Sequence, residues 1–71
     1  MPRSRAFVFT INNWTEQDEL QISFMQPQYA IYGKEVGDSG TPHLQGYVYF
    51  KSACTLKSVS KKLPRAYLEV R

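Results

Sequence analysis

The stretch "TPHLQGYVYF", residues 41–50, decides how the rest of the chain is folded. From His43 it alternates: Leu44, Val48 and Phe50 fall on one side with Gly46 between them, and His43, Gln45, Tyr47 and Tyr49 fall on the other. Successive side chains of a strand point to opposite faces, so the apolar set marks the core and the polar, aromatic set marks an open face. Gly46 removes a side chain in the middle of the strand, where a neighbouring element can approach closely.

Working outward from this strand, "YAIYGKE" from Tyr29 reads as its partner, joined to it through the turn residues of "VGDSGTP" in a hairpin with a long, mobile loop. Near the start of the chain, "RAFVFTINNW" places Ala6, Val8 and Thr10 on one face and Phe7, Phe9 and Ile11 on the other, rich in the residue types that suit strands. Thr15 followed by Asp18 resembles a capping box, with Glu16, Asp18 and Glu19 in the first turn, and predicts a helix from about Glu16 to Met25. Leu20 and Phe24 lie four apart on one side of it, and Gln26-Pro27 ends it, because proline disfavours helix in the residue before it. Beyond the central strand, "SACTLKSVSKKLP" reads as a second helix, N-capped by Thr55, with Leu56, Val59 and Leu63 facing the core. Pro64 stops it, and "RAYLEVR" forms a fourth strand with Ala66, Leu68 and Val70 to one side and Tyr67, Glu69 and Arg71 to the other.

The order is β-α-β-β-α-β. It predicts an α+β, ferredoxin-like or RRM-like fold, an antiparallel sheet with both helices on one face. Seventy-one residues make one small domain, able to bury only about 60% of the surface its unfolded chain exposes. Apolar residues at 42% and aromatics at 14% suffice for a core and argue against disorder. Nothing resembles a membrane span or signal peptide, so no membrane partner is expected. The single cysteine, Cys54, excludes an internal disulfide framework and a cysteine-based zinc site.

The net charge of +3 permits a nucleic-acid partner without requiring one. Basic residues gather at Arg3 and Arg5 and at Lys57, Lys61, Lys62, Arg65 and Arg71, and acids gather at Glu16, Asp18 and Glu19 and around Glu35 and Asp38. The same pattern also suits solvated faces of opposite sign.

On the open face, His43 and Gln45 are roughly 7 Å apart at their Cα atoms, near enough to converge on one ion. An imidazole and an amide oxygen need a carboxylate beside them to hold Mg²⁺ or Mn²⁺. Glu35 is the best candidate, since it ends the second strand and faces His43 if the hairpin is antiparallel. Asp38, in the loop, is the alternative. His43 equally suits an ordinary surface strand position, and Tyr47 and Tyr49 suit either base stacking or packing beneath a further helix.

Three segments in order, "FVFTINNW", "TPHLQGYVYF" and "AYLEVR", resemble the N-terminal HUH endonuclease domain of circovirus-like replication-associated proteins, from Phe7 to Arg71. In that family an H-x-Q pair and a preceding glutamate hold a catalytic Mg²⁺ or Mn²⁺. The resemblance thus implies metal ligands Glu35, His43 and Gln45. It further implies that Phe9, Thr10, Asn12 and Asn13 recognise single-stranded origin DNA at a stem-loop; Tyr47 and Tyr49, from their place on the open face, are expected beside them on the DNA. Arg3, Arg5, Lys57, Lys61 and Lys62 are expected on phosphates.

The implied reaction is rolling-circle nicking and joining through a phosphotyrosine intermediate, in the host nucleus, by a protein that oligomerises through regions outside this segment. The family's nucleophile lies in a Tyr-x-x-Lys motif on a further helix. None of the five tyrosines here has lysine three residues later, so no catalytic residue is expected among these 71. Residues 1–71 then read as one truncated endonuclease domain without that helix or the helicase domain, expected to be inactive alone although its parent is an endonuclease and nucleotidyltransferase. Two other readings stand beside this one. A metal-independent RRM-like module would bind single strands through Tyr47 and Tyr49, and an interaction domain would cover its open face with another subunit.

Overall fold

A computed structural model describes residues 3–38 and 40–71; Ser39, in the hairpin loop, lies outside the described residues. The elements are β1 (Arg3–Asn12), α1 (Glu16–Phe24), β2 (Tyr29–Val36), β3 (Pro42–Thr55), α2 (Leu56–Lys62) and β4 (Tyr67–Val70). One antiparallel sheet has the order β2-β3-β1-β4, as the sequence order β-α-β-β-α-β predicts for this fold class. No helix among the described residues is long and apolar enough to cross a membrane.

The alternation that defines β3 also sets the core. Phe7, Phe9 and Ile11 of β1 and Leu44, Val48 and Phe50 of β3 are buried against Ile22 and Met25 at α1 and Val59 and Leu63 at α2. Both helices therefore cover the same face of the sheet. Phe7 meets Phe50 edge-on at a centroid distance of 6.0 Å, a favoured aromatic geometry.

Gly46 is where β2 comes close. A Cβ there would overlap the Ile31 carbonyl oxygen and Tyr32 Cβ, and would stand 2.8 Å from Tyr32 Cα. The obstruction is mostly backbone, so β2 would have to shift. Gly46→Ala is expected to cost about 1–3 kcal/mol, the range of overpacking changes. The cost would be read as a lowered urea midpoint at unchanged slope. Tyr32 is held in place from both ends: its ring packs 6.2 Å from that of Phe9 and its hydroxyl donates to Glu19 Oε2 at 3.0 Å. Burial, then the Glu19 hydrogen bond and charge, push its phenol above the ordinary value.

The structure departs from the sequence reading at three places. First, β3 runs on to Thr55, so Ser52, Ala53 and Cys54 are strand rather than helix. From Tyr49 to Cys54 it advances five positions while its partner β1 advances only two, Ala6 to Ser4. This is a bulge, and the Ser4 hydroxyl accepts from the Ala6 amide at 3.1 Å within it. The helix begins only after Thr55, whose Oγ1 accepts from the Ser58 amide at 3.1 Å, so the expected N-cap is present. Second, the core side of α1 carries Ile22, with Met25 just beyond its end, whereas Leu20 and Phe24 are exposed at 49% and 72%. Third, Leu56 is exposed rather than in the core.

Candidate functional site

The face of the sheet opposite the helices is a ladder of side chains whose rows follow from register. The first row runs Glu35, His43, Asn12 across β2, β3 and β1. The second runs Gly33, Gln45, Thr10, Tyr67, and the third Ile31, Tyr47, Val8, Glu69, each reaching β4. Tyr29, Tyr49 and Ala6 form the fourth.

In the first row, Glu35 Oε1 lies 3.9 Å from His43 Nε2, with the imidazole half-buried and the carboxylate exposed. That separation is too long for a direct hydrogen bond. Neighbouring donors on an octahedral ion at about 2.1 Å lie about 3.0 Å apart, so the pair would close by about 0.9 Å to share one. Glu35 Oε2 stands 3.9 Å from where a Gly33 Cβ would be. The carboxylate thus leans over the glycine toward the row of Gln45, and the missing side chain leaves room above the sheet between them. Among the described residues no three His, Cys, Asp or Glu side chains gather to hold an ion. The neutral oxygen donors that register places beside this pair are the Asn12 amide in the same row and the Gln45 amide in the next, both of the hard type that suits Mg²⁺ or Mn²⁺ better than zinc. No ion pair joins Asp38 to His43 among the described residues, so the hairpin brings Glu35 and not Asp38 to the imidazole.

At the same end of the sheet, Asn13 adopts φ +52° and its amide donates to the Pro42 carbonyl at 2.8 Å, next to His43. A left-handed asparagine is an established turn choice. What holds the turn is Arg65. Its Nη2 donates to the Asn12 carbonyl at 3.1 Å and the Asn13 carbonyl at 3.0 Å, while Nη1 reaches Asp18 Oδ2 at 2.6 Å. Asp18 is 2% exposed, and the same oxygen accepts from the Thr15 amide at 2.8 Å. One carboxylate thus caps α1 and anchors the guanidinium that clamps the end of β1. The capping role of Asp18 is legible in the sequence; its partner 47 positions away is not.

Of the residues expected to meet DNA, Thr10, Asn12, Tyr47 and Tyr49 lie on the open face by register, and Asn13 is exposed at its edge. Phe9 does not: it is 1% exposed on the helix side, packed in the core beside Tyr32. Strand parity places it opposite Thr10, and its part in the motif is to fill the core beneath the site. Arg3 and Arg5 are exposed at the far end of β1 from His43. Lys57, Lys61 and Lys62 are exposed on α2, in the helix layer, so the fold does not bring them onto the open face.

Sequence reasoning passed over three exposed aromatic or apolar groups of the same face. Tyr29 and Ile31, 53% and 57% exposed, extend it across β2, with Tyr29 edge-on to Tyr47 at 6.3 Å. Tyr67, 71% exposed, extends it across β4. The period-2 alternation that located Tyr47 would have found all three.

A family model of viral replication proteins matches residues 4–71. The chain is 41% identical over 69 residues to the replication-associated protein of Canary circovirus, covering 93% of this chain and 24% of that protein. To the replication-associated protein of Beak and feather disease virus it is 44% identical over 68 residues, covering 92% and 24%. To the master replication protein of Subterranean clover stunt virus (strain F) it is 43% identical over 66 residues, covering 93% and 22%. The chain thus spans about a quarter of the length of these curated relatives.

Proposed function

Because the chain belongs to the viral replication protein family, we propose that it forms the part of a rolling-circle replication initiator that captures single-stranded origin DNA and a divalent ion. The observation that carries this reading is the Glu35–His43 pair, 3.9 Å apart over the gap at Gly33 and one row from Gln45. The proposed ligands are Glu35, His43 and Gln45. When bound, Mg²⁺ or Mn²⁺ polarises a phosphate oxygen at the scissile bond.

The chain's own residues do the rest of the capture. Tyr47, Tyr49, Tyr29 and Tyr67 offer ring faces to successive bases, which stack without regard to sequence. Asn12 and Asn13, with both donors and acceptors, read base edges beside the ion. The Arg65 clamp fixes the backbone from which both amides project. Nicking and joining through a phosphotyrosine is proposed of the longer replication protein, in which this sheet holds the strand.

Arg3 and Arg5, at the far end of β1, are proposed to meet phosphates. Binding should then weaken as salt rises, since each neutralised phosphate releases counterions. With a single-stranded oligonucleotide of origin sequence read by fluorescence anisotropy, Tyr47→Ala is expected to weaken binding about 5- to 100-fold, the value of one stacked base. Affinity that is flat from low to high salt and indifferent to Tyr47→Ala would remove the DNA reading.

The tyrosines of the open face, with Tyr29 and Tyr67 exposed and Tyr29 edge-on to Tyr47, also favour a second reading, a metal-independent stacking module. The same titration with EDTA separates the two. Binding and strand positioning that depend on Mn²⁺ support the initiator reading, and complete indifference supports the module.

A further inference from the structure

The open face carries a second depression, which shares Gln45 with the proposed metal site and extends away from it toward β4. A cavity of about 280 Å³ lies over Val8 and Thr10 of β1, walled by Gln45 and Gly46 on one side and by Tyr67 and Glu69 of β4 on the other. That volume is at the low end for small-molecule sites and suits one planar group. Tyr67 is 71% exposed beside it, a free aromatic surface.

Glu69 is the unexpected member. Among the described residues its carboxylate has no ion pair and no hydrogen bond from a side chain. Register places it on the open face, opposite Val8 and next to the Tyr67 row. An unpaired negative charge opposes a phosphate backbone, so on a surface that binds single strands it weakens binding wherever it meets phosphate. It favours binding only where it accepts hydrogen bonds from a base. In a single strand the Watson–Crick edges are free to be read.

We propose that this cavity is a base-specific pocket for guanine, stacked on Tyr67 and read by Glu69; this rests on the single-strand-binding reading above. Guanine alone presents two adjacent N–H donors on its Watson–Crick edge, matching the two oxygens of a carboxylate. Cytosine and adenine each offer one amino donor beside an acceptor, and thymine's single N–H is flanked by two carbonyls that repel a carboxylate. The order of preference is guanine, then cytosine and adenine, then thymine. Thr10 and Gln45 border the pocket, so a base held there lies against Gln45, itself a proposed ion ligand, and one row from Glu35 and His43.

The test uses the full chain and oligothymidylate carrying one central guanine, cytosine, adenine or thymine, read by anisotropy. Guanine is expected to bind about 5- to 100-fold more tightly than thymine, as for a bidentate base contact. In Glu69→Gln the preference should move from guanine toward adenine, which a glutamine side chain pairs with bidentately, while affinity for plain oligothymidylate stays level or rises. Tyr67→Ala should weaken all four alike. Equal affinity for the four oligonucleotides in the wild type, or a guanine preference that survives in Glu69→Gln, would overturn the pocket while leaving the single-strand reading intact. Failure of every oligonucleotide to bind would overturn both.

Discussion

Arg65→Met should remove about 3 kcal/mol of folding stability, the lower end of what breaking a buried ion pair from one side costs. Two features put it at the lower end and make it lopsided. The Asp18 carboxyl is 3% exposed and the Arg65 side chain 46%, so deleting the arginine strands a buried carboxylate with only Thr15 donors near it. Deleting the charge at Asp18 instead leaves a guanidinium that water can reach. Asp18→Asn is therefore expected to cost less, about 1–2 kcal/mol. For a domain of this size, with a stability of about 5 kcal/mol, the low end of the usual range, the Arg65 loss is large. Urea denaturation of both variants measures it, and an Asp18→Asn cost equal to or above that of Arg65→Met would show that the guanidinium, not the carboxylate, carries the burial penalty. A further consequence is local. With the clamp gone, Asn12 and Asn13 lose the anchor on their carbonyls, so DNA affinity should fall even under conditions where the variant stays folded.

His43→Ala has the largest expected effect on binding. Removing an outer-shell partner of a metal ligand typically costs about 10- to 100-fold in affinity, and removing a ligand itself should cost at least that. Calorimetric titration of Mn²⁺ is expected to give no detectable binding to His43→Ala or Glu35→Ala. Gln45→Ala should bind with reduced affinity, since a neutral amide contributes less than a carboxylate to a hard cation. Asp38→Ala should match the wild type. Equal affinity for wild type and His43→Ala would remove the metal assignment.

The parts of this fold that the sequence makes legible are those governed by a short period and one buried face. Residues 43–50 and 7–11 alternate strictly, and a one-residue slip would put the core in water. The hairpin then places Glu35 opposite His43 without further information. Where two patterns compete, the sequence misleads. In α1, Leu20 and Phe24 make one apolar pair and Ile22 and Met25 another. Asp18, on the side of Ile22, is drawn inward by Arg65 from across the chain, and that long-range contact is invisible locally. At Ser52–Cys54, apolar spacing cannot distinguish the end of a bulged strand from the start of a helix. Phe9 shows a different failure. Strand parity had already set it beside Phe7 and Ile11, but its place in a recognised motif suggested a contact with DNA; the buried ring follows the parity.

The proposed metal site can be tested directly by titrating Mn²⁺ into the isotopically labelled chain and following amide line broadening, because a paramagnetic ion erases the signals nearest to it. Signals of Glu35, His43 and Gln45, with their cross-strand neighbours Asn12 and Gly33, are expected to vanish first, while those of Glu16 and Glu19 persist. Broadening centred on the acidic first turn of α1, with His43 and Gln45 still sharp, would contradict a metal centre on the open face.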